Sequence, residues 1–197
     1  MKLFQIEIDL KKQGMTIFSS REFRRAAGLT AASSKLLLIR YVKRGWVLRL
    51  KDNRGLYCLR QTLPHPWHLA NRLLLPSYIS LESALAHYGL IPETVYAVTS
   101  VSPKTTRTFQ SMDRLFTYQK IKSSAFTGYR PLPVDGRTVL VAEPEKALVD
   151  YLYFVHLKKK SLLERIRWSR VRKSKIVQYA KTFGRDTFVT WIRDVIA

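Results

Sequence analysis

The chain of 197 residues is long enough for one large or two small folded domains, and 46% hydrophobic residues are ample for buried cores. Lys and Arg outnumber Asp and Glu by 35 to 14, so the formal net charge is +21 at pH 7. Such a surface attracts any polyanion, RNA and anionic lipid included. The apolar runs are far too short to span a membrane, and acidic residues in the first ten positions argue against a secretory signal, so we expect a cytoplasmic protein.

The positive charge is concentrated in two terminal blocks. Residues 1–65 hold 14 Lys and Arg against 4 Asp and Glu, and residues 155–197 hold 12 against 3. The 66–154 stretch between them is nearly neutral, with 9 basic and 7 acidic residues. A charge that served only solubility would be spread evenly, so this pattern predicts polyanion-binding surfaces near both ends of the chain.

The first strong local pattern in the chain is a helix start. Ser19 and Glu22 have the spacing of a capping box, and Phe18 and Phe23 are placed to form a hydrophobic staple. The pattern predicts a helix over 20–27 that ends at a glycine, preceded by a short helix within the first ten residues.

A second helix is predicted over 31–44, with Thr30 as its N-cap. Its first turns are small and polar, whereas the run from Leu36 to Val42 is mostly apolar and is expected to anchor the helix in a core. A major-groove recognition helix needs this division, because its N-terminal turns approach base edges closely.

Two β-prone runs, 46–50 and 56–60, surround a basic loop and predict a hairpin. A basic hairpin after such a helix is the wing of a winged helix-turn-helix, which we predict as a DNA-binding domain over residues 1–63. A winged helix that docks a protein is the alternative, and the local excess of positive charge favours DNA.

The predicted DNA contacts follow from position along the helix and from wing charge. Ser33, Ser34 and Lys35 are expected at base edges in the major groove. The other predicted DNA contacts lie on the first helix, at the ends of the second helix and in the wing, and they are expected to reach phosphates or the minor groove. They are Arg21, Thr30, Arg40, Lys43, Arg44, Arg49, Lys51, Asn53 and Arg54.

Residues 77–197 are predicted to form a second domain of the α+β class, after a proline-rich linker or kinked connection over 61–76. The predicted elements are a helix over 81–88 capped by Ser80, strands over 95–101, 107–109, 115–121 and 138–142, and a helix that begins at Glu143.

The C-terminal block contains a second candidate capping box, Ser161 and Glu164, which predicts a helix with a crowded basic face. Two further helices are predicted over 174–183 and 186–196. The block has few acidic residues for compensating pairs, so we expect a second DNA-backbone surface, although an ordinary solvated face is the alternative. Its residues are Arg165, Arg167, Arg170, Arg172, Lys173 and Lys175.

Asp135, Glu143, Glu145 and Lys146 surround a strand-to-helix junction, which makes a metal-dependent nuclease the enzyme alternative. Such enzymes often place Glu-x-Lys after an acidic residue, and here the spacing fails by one in each direction. The simpler interpretation is that the two glutamates complement a helix N-terminus. Cys58 is the only cysteine and the four histidines are scattered, so we expect no catalytic residue, metal or cofactor.

Three segments of the chain, in order, resemble a known family. They are KRGW at 43–46 within the predicted winged helix, SYISLESAL at 77–85 followed by YGLIP at 88–92, and VAEPEKALVD at 141–150. In these segments the chain resembles the abortive-infection AbiEi antitoxins, also described as transcriptional regulators of type IV toxin-antitoxin systems. The likeness spans most of residues 15–155.

The resemblance implies a prokaryotic repressor whose winged helix binds promoter repeats of its own operon, as a monomer or as a cooperative assembly on DNA. It also implies that the C-terminal domain counteracts a co-encoded nucleotidyltransferase-like toxin indirectly, without a stable complex. A standalone DNA-binding regulator is the alternative.

Overall fold

The computed structural model describes residues 3–51 and 55–197 and has a mixed α+β architecture with two sheets. The helices are α1 Leu3–Lys12, α2 Ser20–Ala27, α3 Ala31–Lys43, α4 Pro66–Leu73, α5 Leu81–His87, α6 Pro144–His156, α7 Lys173–Lys181 and α8 Asp186–Val195. The strands are β1 Ile17–Ser19, β2 Val47–Lys51, β3 Leu56–Leu59, β4 Tyr78–Ile79, β5 Val98–Ser102, β6 Arg107–Ser111, β7 Arg114–Lys120, β8 Tyr129–Val134 and β9 Arg137–Ala142.

Helix α2 begins as the sequence predicts. The Ser19 hydroxyl accepts from the Glu22 amide at 3.2 Å, and the Glu22 carboxylate accepts from the Ser19 amide at 2.6 Å. The Phe18 and Phe23 rings stack with centroids 5.9 Å apart. The capping box and the staple are therefore both confirmed, and together they define the direction in which the chain enters α2.

Helix α3 is capped by Thr30, whose hydroxyl accepts from the Ser33 amide at 3.3 Å. Its apolar second half is not uniformly buried. Leu38 and Tyr41 lie in the core, whereas Leu36 is 66% exposed and Ile39 is 51% exposed. The apolar half therefore anchors α3 in the core as predicted, but only through one side, because a helix has 3.6 residues per turn.

The small sheet has the order β1-β3-β2, and all its pairs are antiparallel. Its central strand β3 is buried on both faces. Tyr57 and Leu59 pack with α1, α2 and α3, while Leu56 and Cys58 belong to the larger core of the chain, because successive side chains of a strand point to opposite faces. Burial raises the pKa of the Cys58 thiol to about 11, as befits a buried apolar side chain.

The large sheet has the order β6-β7-β5-β4-β9-β8, with β4–β9 and β5–β7 parallel and the other pairs antiparallel. Helices α4, α5 and α6 supply buried side chains to the core around it. This core also contains residues of the small sheet. The predicted boundary between domains 1–63 and 77–197 stays a prediction.

The segment predicted as a proline-rich linker contains α4 instead. Pro66 lies at the first helical position, where its missing N–H costs no hydrogen bond, and Pro76 follows the end of the helix. Leu69 and Leu73 are fully buried against the large sheet. The prediction of a linker is therefore wrong for residues 66–73, since these prolines flank a helix.

Strand β8 was not expected from the sequence because it contains Pro131 and Pro133. It lies at the edge of the large sheet and pairs with β9 alone, so each proline is tolerated there.

Ser80 precedes α5 without a side-chain capping bond, contrary to its predicted role.

The basic helix predicted to start after Ser161 is absent from the described structure. The 157–172 segment is irregular apart from a short 3₁₀ turn at Trp168–Arg170, and α7 begins only at Lys173. The Tyr151 hydroxyl donates to the Ser161 carbonyl, and the Arg167 amide donates to the Leu90 carbonyl at 2.8 Å. These contacts with the body of the protein outweigh a local capping pattern.

Within the described residues, no helix is both long and apolar enough to cross a membrane.

Candidate functional site

A groove of about 510 Å³ lies between α2, α3 and the β2–β3 hairpin. Helix α2 contributes Arg21 and Arg24, α3 contributes Lys35, and β2 contributes Arg49. All four cations are exposed. Three successive elements of the chain therefore direct positive charge into one concave surface, which we call the cationic groove. Its full lining is Ser20, Arg21, Arg24, Ala31, Ser34, Lys35, Leu38, Ile39, Val42, Arg49 and Tyr57.

Within the part of the chain that the structure describes, the groove cations form no ion pair with a carboxylate. Over residues 3–51 and 55–197, the ion pairs closer than 4.0 Å include none of the four groove cations. The Arg49 guanidinium lies 5.6 Å from the Tyr57 ring centroid and donates to the Tyr57 hydroxyl at 3.4 Å. This contact orients Arg49 while leaving its charge available to an anion.

The residues predicted at base edges differ in their accessibility. Lys35 is exposed, and Ser33 is exposed with its hydroxyl accepting from Thr30 at 3.1 Å. Ser34 is only 5% exposed, and its hydroxyl donates to the Ala31 carbonyl at 3.0 Å. Ser34 therefore contributes to helix packing rather than to base contacts. Thr30 acts as the helix cap.

The outward face of α3 consists of Ala32, Leu36, Ile39 and Lys43, which are all exposed. We call these four residues the outer stripe. The Arg40 side chain is also exposed at its border. The sequence analysis predicted Lys43 but missed Arg24 and the three apolar residues of the outer stripe. The helical periodicity of α3 was the pattern that would have found them.

The wing residues are only partly described. Strands β2 and β3 form the expected antiparallel hairpin, with Leu48 opposite Cys58. Asn53 and Arg54 lie outside the described residues, as does the side chain of Lys51. At the other end of the hairpin, the Arg44 guanidinium lies 4.9 Å from the Trp46 ring centroid.

The C-terminal cations are arranged differently, because several have acidic partners. Arg172 pairs with Glu145 at 3.2 Å, and Lys175 pairs with Glu143. In addition, Arg165 lies 3.5 Å from Glu93. The expectation of few compensating pairs is therefore wrong for these residues.

The other predicted C-terminal contacts also have defined positions. Arg170 donates to the carbonyls of Tyr88 and Gly89 at 3.5 Å, and Lys173 donates to the Ala197 carbonyl at 2.9 Å. Arg167 is exposed. These residues lie on an irregular segment and at the start of α7, so they do not share one helical face.

Glu143 and Glu145, two of the carboxylates considered for a nuclease, bind cations at the start of α7. Glu143 pairs with Lys175, and Glu145 pairs with Arg172, which precedes the helix. The hydrogen bond from Lys175 is the main cause that lowers the pKa of Glu143, and the Tyr179 hydroxyl also donates to this carboxylate at 2.9 Å. Among the described residues, no group of three or more His, Cys, Asp or Glu side chains is arranged to hold a metal ion. Glu143 and Glu145 act here as partners for cations of the chain itself.

The second and third of the three segments that resemble the family meet in the buried core. Lys146 and Asp150 form an ion pair whose side chains are both 0% exposed. Asp150 also accepts from the Tyr78 hydroxyl at 3.0 Å and from the Ser80 hydroxyl at 2.8 Å. Burial raises the pKa of Asp150 and lowers that of Lys146, while their attraction opposes both shifts. Because both side chains are fully buried, we interpret the pair as structural.

Glu22 of the α2 capping box also binds a residue of another helix. Arg72 on α4 lies 3.2 Å from both carboxylate oxygens of Glu22. The Ser111 hydroxyl donates to the Leu50 carbonyl and links β6 to β2. These contacts fix the cationic groove relative to the large sheet.

The Glu22 contacts predict a pH-dependent contribution to stability. Burial by itself raises the pKa of Glu22, but hydrogen bonds from Ser19 and the Arg72 guanidinium outweigh it, so the pKa lies below 4.5. The unfolded state then binds more protons at acidic pH, and stability rises with pH through this window. We expect Glu22→Gln to destabilise the protein at neutral pH, and the difference to vanish as the pH falls through the lowered pKa.

Urea unfolding of both proteins across this pH range measures the effect. The exposed Glu164→Gln variant is the control and should follow the wild-type protein throughout. A Glu22→Gln difference that stays constant with pH would show that the carboxylate charge contributes nothing.

The cationic groove, the outer stripe and the hairpin thus lie together in the N-terminal part of the chain. Their geometry carries the functional interpretation. Comparison of the sequence with protein-family models and with curated proteins finds no match.

Proposed function

We propose that the N-terminal part of the chain is a winged helix-turn-helix that binds double-stranded DNA. In this proposal α3 is the recognition helix and β2–β3 is the wing. The observation that carries it is the cationic groove, where α2, α3 and β2 present four cations without carboxylate partners among the described residues. Phosphates on the rim of a major groove are the natural counterions for such a surface.

The order of elements supports the same interpretation. Helix α2 leads into α3 through a turn of three residues, and the hairpin follows α3 directly. This arrangement allows one helix to enter the major groove while the helix before it and the hairpin reach the flanking backbone. Arg21 and Arg49, which line the same groove beside α3, then contact phosphates of the flanking backbone.

A protein-docking winged helix is less consistent with these side chains. The buried centre of a protein interface is depleted in charged residues, whereas here Lys35, Arg40 and Lys43 surround the apolar residues of α3. A protein partner would have to desolvate these cations or supply a matching set of carboxylates.

We further propose that the chain is a cytoplasmic transcriptional repressor, and the antitoxin of a type IV toxin-antitoxin system. The resemblance to AbiEi proteins supports this role, and the two resembling segments pack around Lys146 and Asp150 in one core. A toxin of the nucleotidyltransferase class would be antagonised indirectly. A neighbouring gene for such a protein would favour the antitoxin role over a standalone regulator.

The proposal predicts that the full chain enriches a defined sequence from a pool of random DNA duplexes. We expect enriched sequences to match repeats in the chain's own promoter region, and a reporter under that promoter to be repressed when the chain is present. The measurements are sequencing of the bound pool and a reporter assay in cells. A pool that stays random, with equal affinity for every duplex, would contradict sequence-specific repression.

A further inference from the structure

We propose that this chain reads its DNA site partly through thymine 5-methyl groups, which are contacted by the apolar residues of the outer stripe. These residues are Ala32, Leu36 and Ile39. The inference rests on the proposed DNA-binding function and adds to it the base that is recognised and the side chains that recognise it.

The spacing of the outer stripe places it on the side of α3 that faces away from the protein. Positions 32, 36, 39 and 43 follow one another at intervals of four, three and four residues, so they lie along one side of the helix. The buried positions Ser34, Leu38 and Tyr41 have the complementary spacing. A groove of DNA that receives α3 therefore meets the outer stripe first.

The stripe exposes two large aliphatic side chains next to each other on one helix face. Leu36 is 66% exposed and Ile39 is 51% exposed, so they form a contiguous apolar patch. Ala32, one turn earlier, has a side chain small enough for the helix backbone to approach base edges. The stripe therefore presents apolar surface where a recognition helix would touch the floor of the groove.

Thymine is the base that matches this surface. Its 5-methyl group is the apolar feature of base edges in the major groove, while the other positions present hydrogen-bond donors and acceptors. With Ser34 buried, polar readout by the first turns of α3 depends on Ser33 and Lys35. Apolar contacts from Leu36 and Ile39 then have to supply much of the discrimination.

The cations around the stripe favour DNA over a second copy of the chain. Lys35, Arg40 and Lys43 are exposed beside Leu36 and Ile39. In a symmetric dimer through this face, these cations would approach the same cations of the partner, and like charges in contact are unfavourable. In DNA, by contrast, a negatively charged phosphate backbone borders the major groove on each side. These phosphates can lie next to the cations that flank Leu36 and Ile39.

The experiment replaces thymine by uracil, which removes the 5-methyl group and leaves the base pair intact. The probe is the duplex that the full chain enriches from the random pool, synthesised with thymine or with uracil. We expect the wild-type chain to bind the uracil duplex more weakly, by about fourfold for each methyl group contacted. Leu36→Ala and Ile39→Ala should each reduce this preference, and the double variant should lose it.

Leu63→Ala is the matched control, because Leu63 is a leucine that is 55% exposed outside α3. It should keep the full preference for thymine. Since all three positions are exposed, circular dichroism should show unchanged helix content in every variant.

Three outcomes would overturn the inference, and they are distinguishable. Equal wild-type affinity for both duplexes overturns thymine recognition and leaves DNA binding intact. Failure to bind any duplex overturns the proposed function itself. If Leu36→Ala and Ile39→Ala convert a dimer to a monomer in sedimentation without changing the thymine preference, the stripe is a self-association surface instead.

Discussion

Asp150→Ala is expected to lower the free energy of unfolding by about 3–5 kcal/mol, the range found when one partner of a buried ion pair is removed. The substitution leaves the Lys146 ammonium fully buried without its carboxylate. It also removes the acceptor for the hydroxyls of Tyr78 and Ser80. Urea unfolding of the full chain, followed by tryptophan fluorescence, measures the change.

A double variant separates the effect of the stranded charge from the effect of the lost hydrogen-bond acceptor. Lys146→Met with Asp150→Leu removes both charges and keeps most of the buried volume, so we expect it to recover a large part of the lost stability. Asp194→Ala on the exposed side of α8 is the control and should stay close to the wild-type protein. A double variant no more stable than Asp150→Ala would show that loss of the acceptor for Tyr78 and Ser80, and not a stranded charge, causes the effect.

The second large effect is expected in the salt dependence of DNA binding. Replacement of Arg21, Arg24 and Arg49 by alanine in one variant should make the slope of log affinity against log salt shallower by about three units, one for each lost phosphate contact. The three cations come from α2 and β2 and line the same groove. Fluorescence anisotropy with the enriched duplex at several salt concentrations gives the slope for each protein.

The matched control removes the same charge from the C-terminal block. Replacement of Arg167, Lys173 and Arg193, all exposed, lowers the net charge equally but leaves the cationic groove intact. We expect its slope to stay within about one unit of the wild-type slope. An equal loss in both variants would place phosphate contacts on the C-terminal block as well, and would restore the two-surface arrangement predicted from charge distribution alone.

The elements with local chemical markers were predicted well from the sequence. The capping box of Ser19 and Glu22 defines the start of α2, and Pro144 marks the first position of α6. Capping and proline geometry involve atoms only a few residues apart, so the local sequence contains the information needed.

The elements that were missed depend on distant parts of the chain. Helix α4 is stabilised by burial of Leu69 and Leu73, and strand β8 by pairing with β9. The capping pattern at Ser161 fails because Tyr151 and Leu90 bind that segment in an irregular conformation. In each case tertiary contacts override the local preference.

The candidate site was also predicted in part. Arg21, Lys35 and Arg49 were chosen from their positions in the sequence, and the structure brings them together in the cationic groove. Arg24 was missed, and Ser34 was assigned to DNA although it is buried. A choice of residues by distance from the helix start does not say which side of the helix they occupy.

By itself, the sequence determined that the chain is strongly basic at both ends, that capped helices lie near its N-terminus, and that its middle is nearly neutral. These properties follow from composition and from chemistry between near neighbours. The tertiary structure alone decided which side of α3 is exposed and which cations are neutralised by carboxylates. Both depend on side chains far apart in sequence, such as Arg172 and Glu145, and these meet only when the chain folds.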